Sequence, residues 1–376
     1  MTPSTINLQL SLGSAPAPAY VTEKLESVEV TRKDNGPSGF QLEFHADRTA
    51  GLSQDFALLS SPLLQPATRV TIAVAINSTP TVLIDGFITR QELAHSKQFG
   101  ASTLTITGED VSVAMDRVEF SLEYPAMGDA AIALMVLAKY ALWITPEVIP
   151  TAADLIPLSI EHVPQQNCTD RCYLTQLASP YGYIFHVRPG PVAGTNTAYW
   201  GPPPRTGAVN RALTVDLGPA TNVESLNFQF DSLAPTLVYG MVQDDIVEDD
   251  LPLSTLTSTR LPAFATQPAL ALFGLLQRRN LFTDPRYGYL RAMVDAQAIT
   301  DVSTDGVVTG KGELDTIRYG DILNVPGLVD VRGIGQSYDG RYYVQTVTHT
   351  LRRGAYKQSF TLTREGIGST VSMVTP

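Results

Sequence analysis

Cysteine is almost missing from this 376-residue chain, which has only Cys168 and Cys172. Two thiols cannot build a disulfide framework, and their scarcity fits assembly in a reducing cytoplasm. Their C-x3-C spacing has no second pair and no nearby histidine at zinc spacing, so packing is the expected role and a metal is not. On one helix they would share a face, with side-chain directions that disfavour a disulfide. Long apolar runs are missing too. The longest, AAIALMVLAKYALWI from Ala130 to Ile144, is too short to span a bilayer and is broken by Lys139. It reads as a buried helix, and no membrane insertion is expected. The start, MTPSTINLQLSLG, lacks a basic n-region and a continuous apolar stretch, so no secretory signal is expected. Positive charge is in deficit: 26 Lys and Arg stand against 37 Asp and Glu, for a net −11. A field of that sign repels nucleic acid and anionic lipid, and stable nucleic-acid binding is not expected.

Catalytic signatures are equally scarce. There is no G-x-S-x-G and no H-E-x-x-H. The five histidines, His45, His95, His162, His186 and His349, lie in separate segments with no triad spacing. Gly310-Lys311-Gly312, Gly333-Ile334-Gly335 and Gly366-Ile367-Gly368 each lack the third glycine and the βαβ setting of a dinucleotide loop, so they read as turn glycines. The acidic run Asp244, Asp245, Glu248, Asp249 and Asp250 lacks the glycine and ligand order of a calcium loop, and reads as a solvated loop. No catalytic, cofactor-binding or metal-binding residue is expected, and the chain is not expected to be an enzyme.

What the chain does contain is short strands and turns. VTEKLESVEVTRKD and GFQLEFHAD flank the turn Asn35-Gly36-Pro37, and RVTIAVAI and TVLIDGFITR flank a four-residue loop, Asn77 to Pro80. ASTLTITGED alternates apolar and polar residues, as a half-buried strand does. A helix capped by Asp129 is expected from Ala130 to about Trp143, then a strand at Pro157–His162. Asn167 or Thr169 would cap a further helix through about Ala178, followed by a short strand at Tyr183–Val187. RALTVDL, NVESLNFQFD and TLVYGMV are strand candidates, YLRAMVDAQAITDV is a helix, and β pattern resumes from Gly306. The expected fold class is mainly β with α+β insertions. The expected division is an N-terminal arm (1–19), a first β domain that is a small barrel or sandwich (20–118) and an α+β middle domain (119–205). A second β region of similar size, compatible with a duplicated barrel, is split (206–243 and 305–366) around an insertion (244–304) with an acidic loop and a helix, and a tail follows (367–376).

The most patterned stretch is YDGRYYVQTVTHTLRRGAYKQSFTLTREG, Tyr338 to Gly366. A hairpin turning at Arg353-Gly354 sets Leu351 opposite Tyr356, His349 opposite Gln358, Val347 opposite Phe360, Gln345 opposite Leu362 and Tyr343 opposite Arg364. Thr350, Thr348 and Thr346 then fall on the other face with Lys357, Ser359 and Thr361, because side chains alternate. A one-residue slip would mix the faces. His349 reads as a histidine hydrogen-bonded within a sheet rather than a base.

RYGDILNVPGL followed by that hairpin resembles the end of the late-control D baseplate hub proteins of contractile phages. The same module occurs in the VgrG spikes of type VI secretion and in extracellular contractile injection particles. VLIDGFITR with STLTITGEDVSVAMD resembles the end of that family's first barrel, and CYLTQLASPYGYIFHV its middle-domain helix and strand. The resemblance covers about Val21 to Gly366. It implies a homotrimer with two similar tube-type β-barrels per subunit (20–118, and 206–243 with 305–366), hence six barrels in a ring. Such a ring is a symmetry adaptor between a hexameric inner tube and a trimeric spike. It would cap the tube, template its growth and sit in the baseplate of a virion tail or injection particle. Because the chain stops ten residues after Gly366, a separate spike protein is the expected partner. Other baseplate components would surround it, and the −11 charge with the Thr-rich hairpin face suggests an acidic, hydroxyl-lined lumen. The alternatives are a cell-wall hydrolase or esterase of a tail tip, or a carbohydrate-binding adhesin.

Overall fold

The computed structural model describes residues 6–46, 56–76, 79–96, 102–151, 163–192, 194–244, 249–272, 277–283 and 288–370. The strand expected at Pro157–His162 lies outside them, as do Asn77 and Ser78 of the expected loop. The chain is mainly β, with helical insertions.

The first region holds β1 (Ile6–Leu12), β2 (Ala15–Pro16), the one-turn α1 (Ala19–Thr22), β3 (Leu25–Lys33), β4 (Gly39–His45), β5 (Arg69–Ile76), β6 (Thr79–Ala94) and β7 (Thr103–Asp110). Period-two alternation sends one side of each long strand inward. Phe40, Leu42 and Phe44 of β4, Leu104 and Ile106 of β7, and Val70, Ile72 and Val74 of β5 share one buried core with Leu10 and Leu12. The expected arm is therefore corrected from Ile6 onward. INLQLSL alternates like any strand, and β1 pairs along its length with β5.

The middle region holds β8 (Glu119–Glu123), α2 (Asp129–Ala138), β9 (Thr145–Val148), β10 (Gln165–Thr169), α3 (Asp170–Ala178), β11 (Ile184–Pro189) and β12 (Asn196–Gly201). Both helices pack on fully buried Trp200. Thr169 caps α3, its hydroxyl accepting from the Cys172 N–H. Asp129 does not cap α2. It is the first helical residue, and its carboxylate accepts from Tyr181 and Arg291 at 2.8 Å each. The helix stops at Ala138 rather than near Trp143.

The rest holds β13 (Val209–Thr214), β14 (Ser225–Phe230), β15 (Thr236–Asp244), β16 (Asp249–Ser254), β17 (Ala265–Pro268), α4 (Ala269–Leu272) and β18 (Arg278–Leu281). After them come α5 (Tyr289–Asp305), β19 (Val308–Asp315), α6 (Thr316–Tyr319), β20 (Gly327–Arg332), β21 (Gly340–Arg352), β22 (Ala355–Arg364) and β23 (Gly366–Ser369). TLVYGMV does not join the other strands of its region. As β15 it pairs with β16 and β18, and Val238 and Val242 pack with Leu253, Phe282, Ala292 and Ala296. Residues 367–369, expected as tail, pair as β23 with β17.

Two four-strand units emerge. In the first, the β6–β7 hairpin continues through β4 to β3. In the second, the β21–β22 hairpin continues through β19 to β14. Both long hairpin strands carry a bulge. Registers step from Ile88↔Gly108 to Arg90↔Thr107, and from Val344↔Leu362 to Thr346↔Thr361. Before its bulge each strand pairs with an outer strand, β5 or β20. After its bulge β21 pairs with β3, so the two units form one continuous sheet. Ion pairs through Arg205, at the end of the middle region, tie the end of α5 to the end of the second unit. Arg205 reaches Glu365 at 3.1 Å and Asp305 at 2.8 Å, and Arg260 reaches Asp305 at 3.3 Å.

Candidate functional surface

The hairpin register holds from Arg352↔Ala355 through Leu351↔Tyr356, His349↔Gln358 and Val347↔Phe360 to Thr346↔Thr361. It fails beyond the bulge. Gln345 is skipped, so Val344 faces Leu362 and Tyr343 faces Thr363, not Arg364. Gln345 is polar and exposed, and a strict alternation would have placed it in the core.

His349 is fully buried. Its Nδ1 shares a hydrogen bond with the Tyr356 hydroxyl at 3.0 Å. Burial, aided by the Arg32 charge, pushes its pKa down to about 3. It is neutral at neutral pH. Gln358, its register partner, turns instead to the Leu323 N–H (2.9 Å), the Thr316 hydroxyl (3.1 Å) and the Asp321 carbonyl (3.0 Å). His186 is also buried, beside the Tyr199 ring at 5.3 Å, and burial pushes its pKa to about 3. His45 stands 3.4 Å from Glu26, and His95 Nδ1 stands 3.3 Å from the Ser102 hydroxyl. His162 lies outside the described residues.

Cys168 and Cys172 do not share a helix face. Cys168 ends β10 opposite Phe120, and Cys172 lies in the first turn of α3. Both are free thiols, and both contact the Gln176 amide. Three of the five residues of the acidic run are strand rather than loop. Asp244 pairs with Asp249 and Gln243 with Asp250, while Asp245 and Glu248 lie outside the described residues. Among the described residues, no group of three or more His, Cys, Asp or Glu could hold a metal ion. None of their helices is long and apolar enough to cross a membrane. Gly310 and Gly312 are not turn glycines. They sit inside β19, where a Cβ would lie 2.7 Å from the Phe228 ring or 2.5 Å from the Ser225 carbonyl. Gly333, Gly335 and Gly368 do take positive φ.

The residues that do converge form a surface. Eight strands, β14-β19-β22-β21-β3-β4-β7-β6, present one continuous polar face. One row runs Ser225, Glu313, Ser359, Thr348, Thr31, Gly39, Glu109. Its neighbour runs Asp315, Lys357, Thr350, Glu29, Gln41, Thr107, Arg90. The Thr31 and Thr348 hydroxyls meet at 3.0 Å across the β3–β21 seam. Beneath it lies Arg32, which donates to the Val325 carbonyl at 3.0 Å; burial lowers its pKa to about 10. The charged groups nearly cancel. Lys33, Arg90, Lys311, Arg352 and Lys357 stand against Glu29, Glu43, Glu92, Glu109, Glu313 and Asp315. The chain's acidity therefore lies elsewhere, and an acidic face is corrected to a balanced, hydroxyl-rich one. Both ends of this arc are open. Among the described strands, β14 pairs only with β19, and residues 90–94 of β6 pair only with β7.

No protein-family model matches the chain, and no curated protein does. Solved structures do. The 43 kDa tail protein of prophage MuSo2 from Shewanella oneidensis aligns with a TM-score of 0.66, over 96% of this chain and 99% of that one, at 12% identity. The fold is that of a phage tail protein. A tail protein from Neisseria meningitidis MC58 gives 0.63 over 96% and 98%, at 15% identity. The Francisella PdpA–VgrG complex, half-lidded, gives 0.58 over 100% of this chain and 60% of that one, at 9% identity. At such identities the shared property of this tail-protein fold is architecture.

Proposed function

We propose that the chain is the structural hub of a phage-tail or phage-tail-like baseplate, acting as a trimer between a hexameric inner tube and a trimeric spike. The observation that carries this reading is the eight-strand arc with one polar face and two open edges. Neighbouring strands of the arc are all antiparallel. Eight is even, so β14 of one copy and β6 of the next run antiparallel, and the ladder closes without a clash of direction. Closure also removes both sheet edges. At about 4.8 Å per strand, three arcs give a circumference of roughly 115 Å and a backbone radius of about 18 Å. That exceeds the 16–18-stranded barrels that already hold a water channel. The polar face becomes the lumen wall, and two similar units per chain give six around the ring, which matches threefold to sixfold symmetry. The role is mechanical rather than catalytic. A charge-balanced wall lets cargo slide without an electrostatic trap. The spike would be a separate chain, and the tube and other baseplate components the remaining partners. Light scattering and electron microscopy of the purified protein test this. A trimeric ring is expected, and a protein that stays monomeric both alone and with its spike refutes it.

A further inference from the structure

We infer that β6 of each subunit pairs with β14 of the next in one defined register, the one the chain already uses internally between β21 and β3. The inference rests on the hub reading and adds the residues that meet. It follows from matching the two units by their own ladders. Aligning the bulges makes Thr346 the counterpart of Arg90, Thr348 of Glu92 and Thr350 of Ala94. On the far side, Thr363↔Thr309↔Gln229 matches Glu109↔Gly39↔Thr31. Gln229 is thus the counterpart of Thr31, Asn227 of Glu29, and Asp231, one residue past β14, of Lys33.

The internal seam pairs Thr346 with Lys33, Thr348 with Thr31 and Thr350 with Glu29. Between copies it becomes Arg90 with Asp231, Glu92 with Gln229 and Ala94 with Asn227. Three features fit. Arg90 and Asp231 are exposed and opposite in charge. Leu93 would meet Phe228, and both are only half-buried in the single chain. Their internal counterparts, His349 and Val30, are fully buried. The alternate face pairs polar with polar at Arg90–Asp231 and Glu92–Gln229, and sets only the small Ala94 against Asn227. The contact is heterologous, so copies related by a threefold rotation would close a ring.

Cysteine cross-linking tests the register, in a background with Cys168→Ser and Cys172→Ser. Under mild oxidation by dissolved oxygen, Glu92→Cys with Gln229→Cys should give a covalent trimer on a non-reducing gel. Thr31→Cys with Thr348→Cys is the internal control, since those hydroxyls already lie 3.0 Å apart. Glu92→Cys with Asn227→Cys, or with Asp231→Cys, is two residues out of register and should link little. Arg90→Asp should weaken the trimer more than tenfold, and adding Asp231→Arg should restore it. A trimer that links through an out-of-register pair overturns the register and leaves the hub reading standing. A trimer that links through none of these pairs overturns the edge contact. A monomer overturns both.

Discussion

Replacing His349 with asparagine should change how stability depends on pH. The ring is fully buried, touches the Tyr356 hydroxyl, and has its pKa lowered to about 3. In the unfolded chain a histidine titrates near 6.5. Between those values the unfolded state holds the extra proton, so stability rises with pH. The contribution is whole above pH 6.5 and is lost as pH falls toward 3. At pH 5 the loss is about 2 kcal/mol, from the fraction of unfolded chains that are protonated. His349→Asn lowers stability at pH 7.5 by leaving a gap, but it removes this penalty. The gap between the two proteins should therefore shrink by about 2 kcal/mol from pH 7.5 to pH 5. Urea unfolding of both at each pH, at one protein concentration, measures it. His186 titrates in the same sense, and Asp34 and Asp110, raised to about 6 by burial, in the opposite one. All three are common to both proteins and cancel in the difference. A gap that stays constant, or widens at pH 5, would mean that His349 takes its proton within the fold, and the reading of it as a neutral packing residue would be wrong.

Arg205→Ala takes the ion-pair partner from buried Glu365, while Asp305 keeps Arg260, and should cost about 3–5 kcal/mol, because a buried charge loses its partner; thermal unfolding measures it. Gly312→Ala should cost about 1–3 kcal/mol by overpacking against Ser225 and Phe360. Gly354→Ala, in open space at φ +80°, should cost only about 1 kcal/mol, the strain of its left-handed backbone; melting curves rank the two. Glu29→Lys with Glu43→Lys moves the polar face, the lumen wall of the proposed ring, from one excess negative charge to three excess positive charges per chain. Such rings should retain single-stranded DNA at low salt and release it as salt rises, whereas wild-type rings should not; filter binding across a salt series checks this.

The sequence made strands and their inner faces legible, because alternation is local. It gave the β21–β22 register from the turn as far as Thr346, and Thr169 as one of two candidate caps, for the same reason. It did not show partners. TLVYGMV alternates as well as any strand, yet alternation names no neighbour, and β15 joined another sheet. INLQLSL carried the signal of β1, but the prolines after it suggested an arm. The β3–β21 seam joins residues more than 300 positions apart, as the Thr31–Thr348 contact shows, and no short window contains it. The polar face was half legible. Its threonines on β21 stood out, but its charge balance needed eight strands side by side. One missed signal was readable. Val344 and Val347 are three apart, and a period-two strand reaches that spacing only by a bulge between them.

That bulge decides what the long strands can do. In β21, Tyr342 and Val344 point into the core before it, and Val347, His349 and Leu351 after it. In β6, Ile84 and Ile88 point inward before Thr89, while Arg90 and Glu92 point outward after it. Without the extra residue, every side chain beyond it would change faces. Arg90 and Glu92 would turn into the core, and Leu93 would stand on the polar wall. A bulge also sharpens the strand's twist, which bends it away from its first partner. One strand can then serve an outer strand with its first half and a further neighbour with its second. In β21 that neighbour is present, because it is β3 of the same chain. In β6 the same device is built and the second half is left open. A strand bent away from its first partner, polar on one face and half-covered on the other, is the edge that the proposed ring would close.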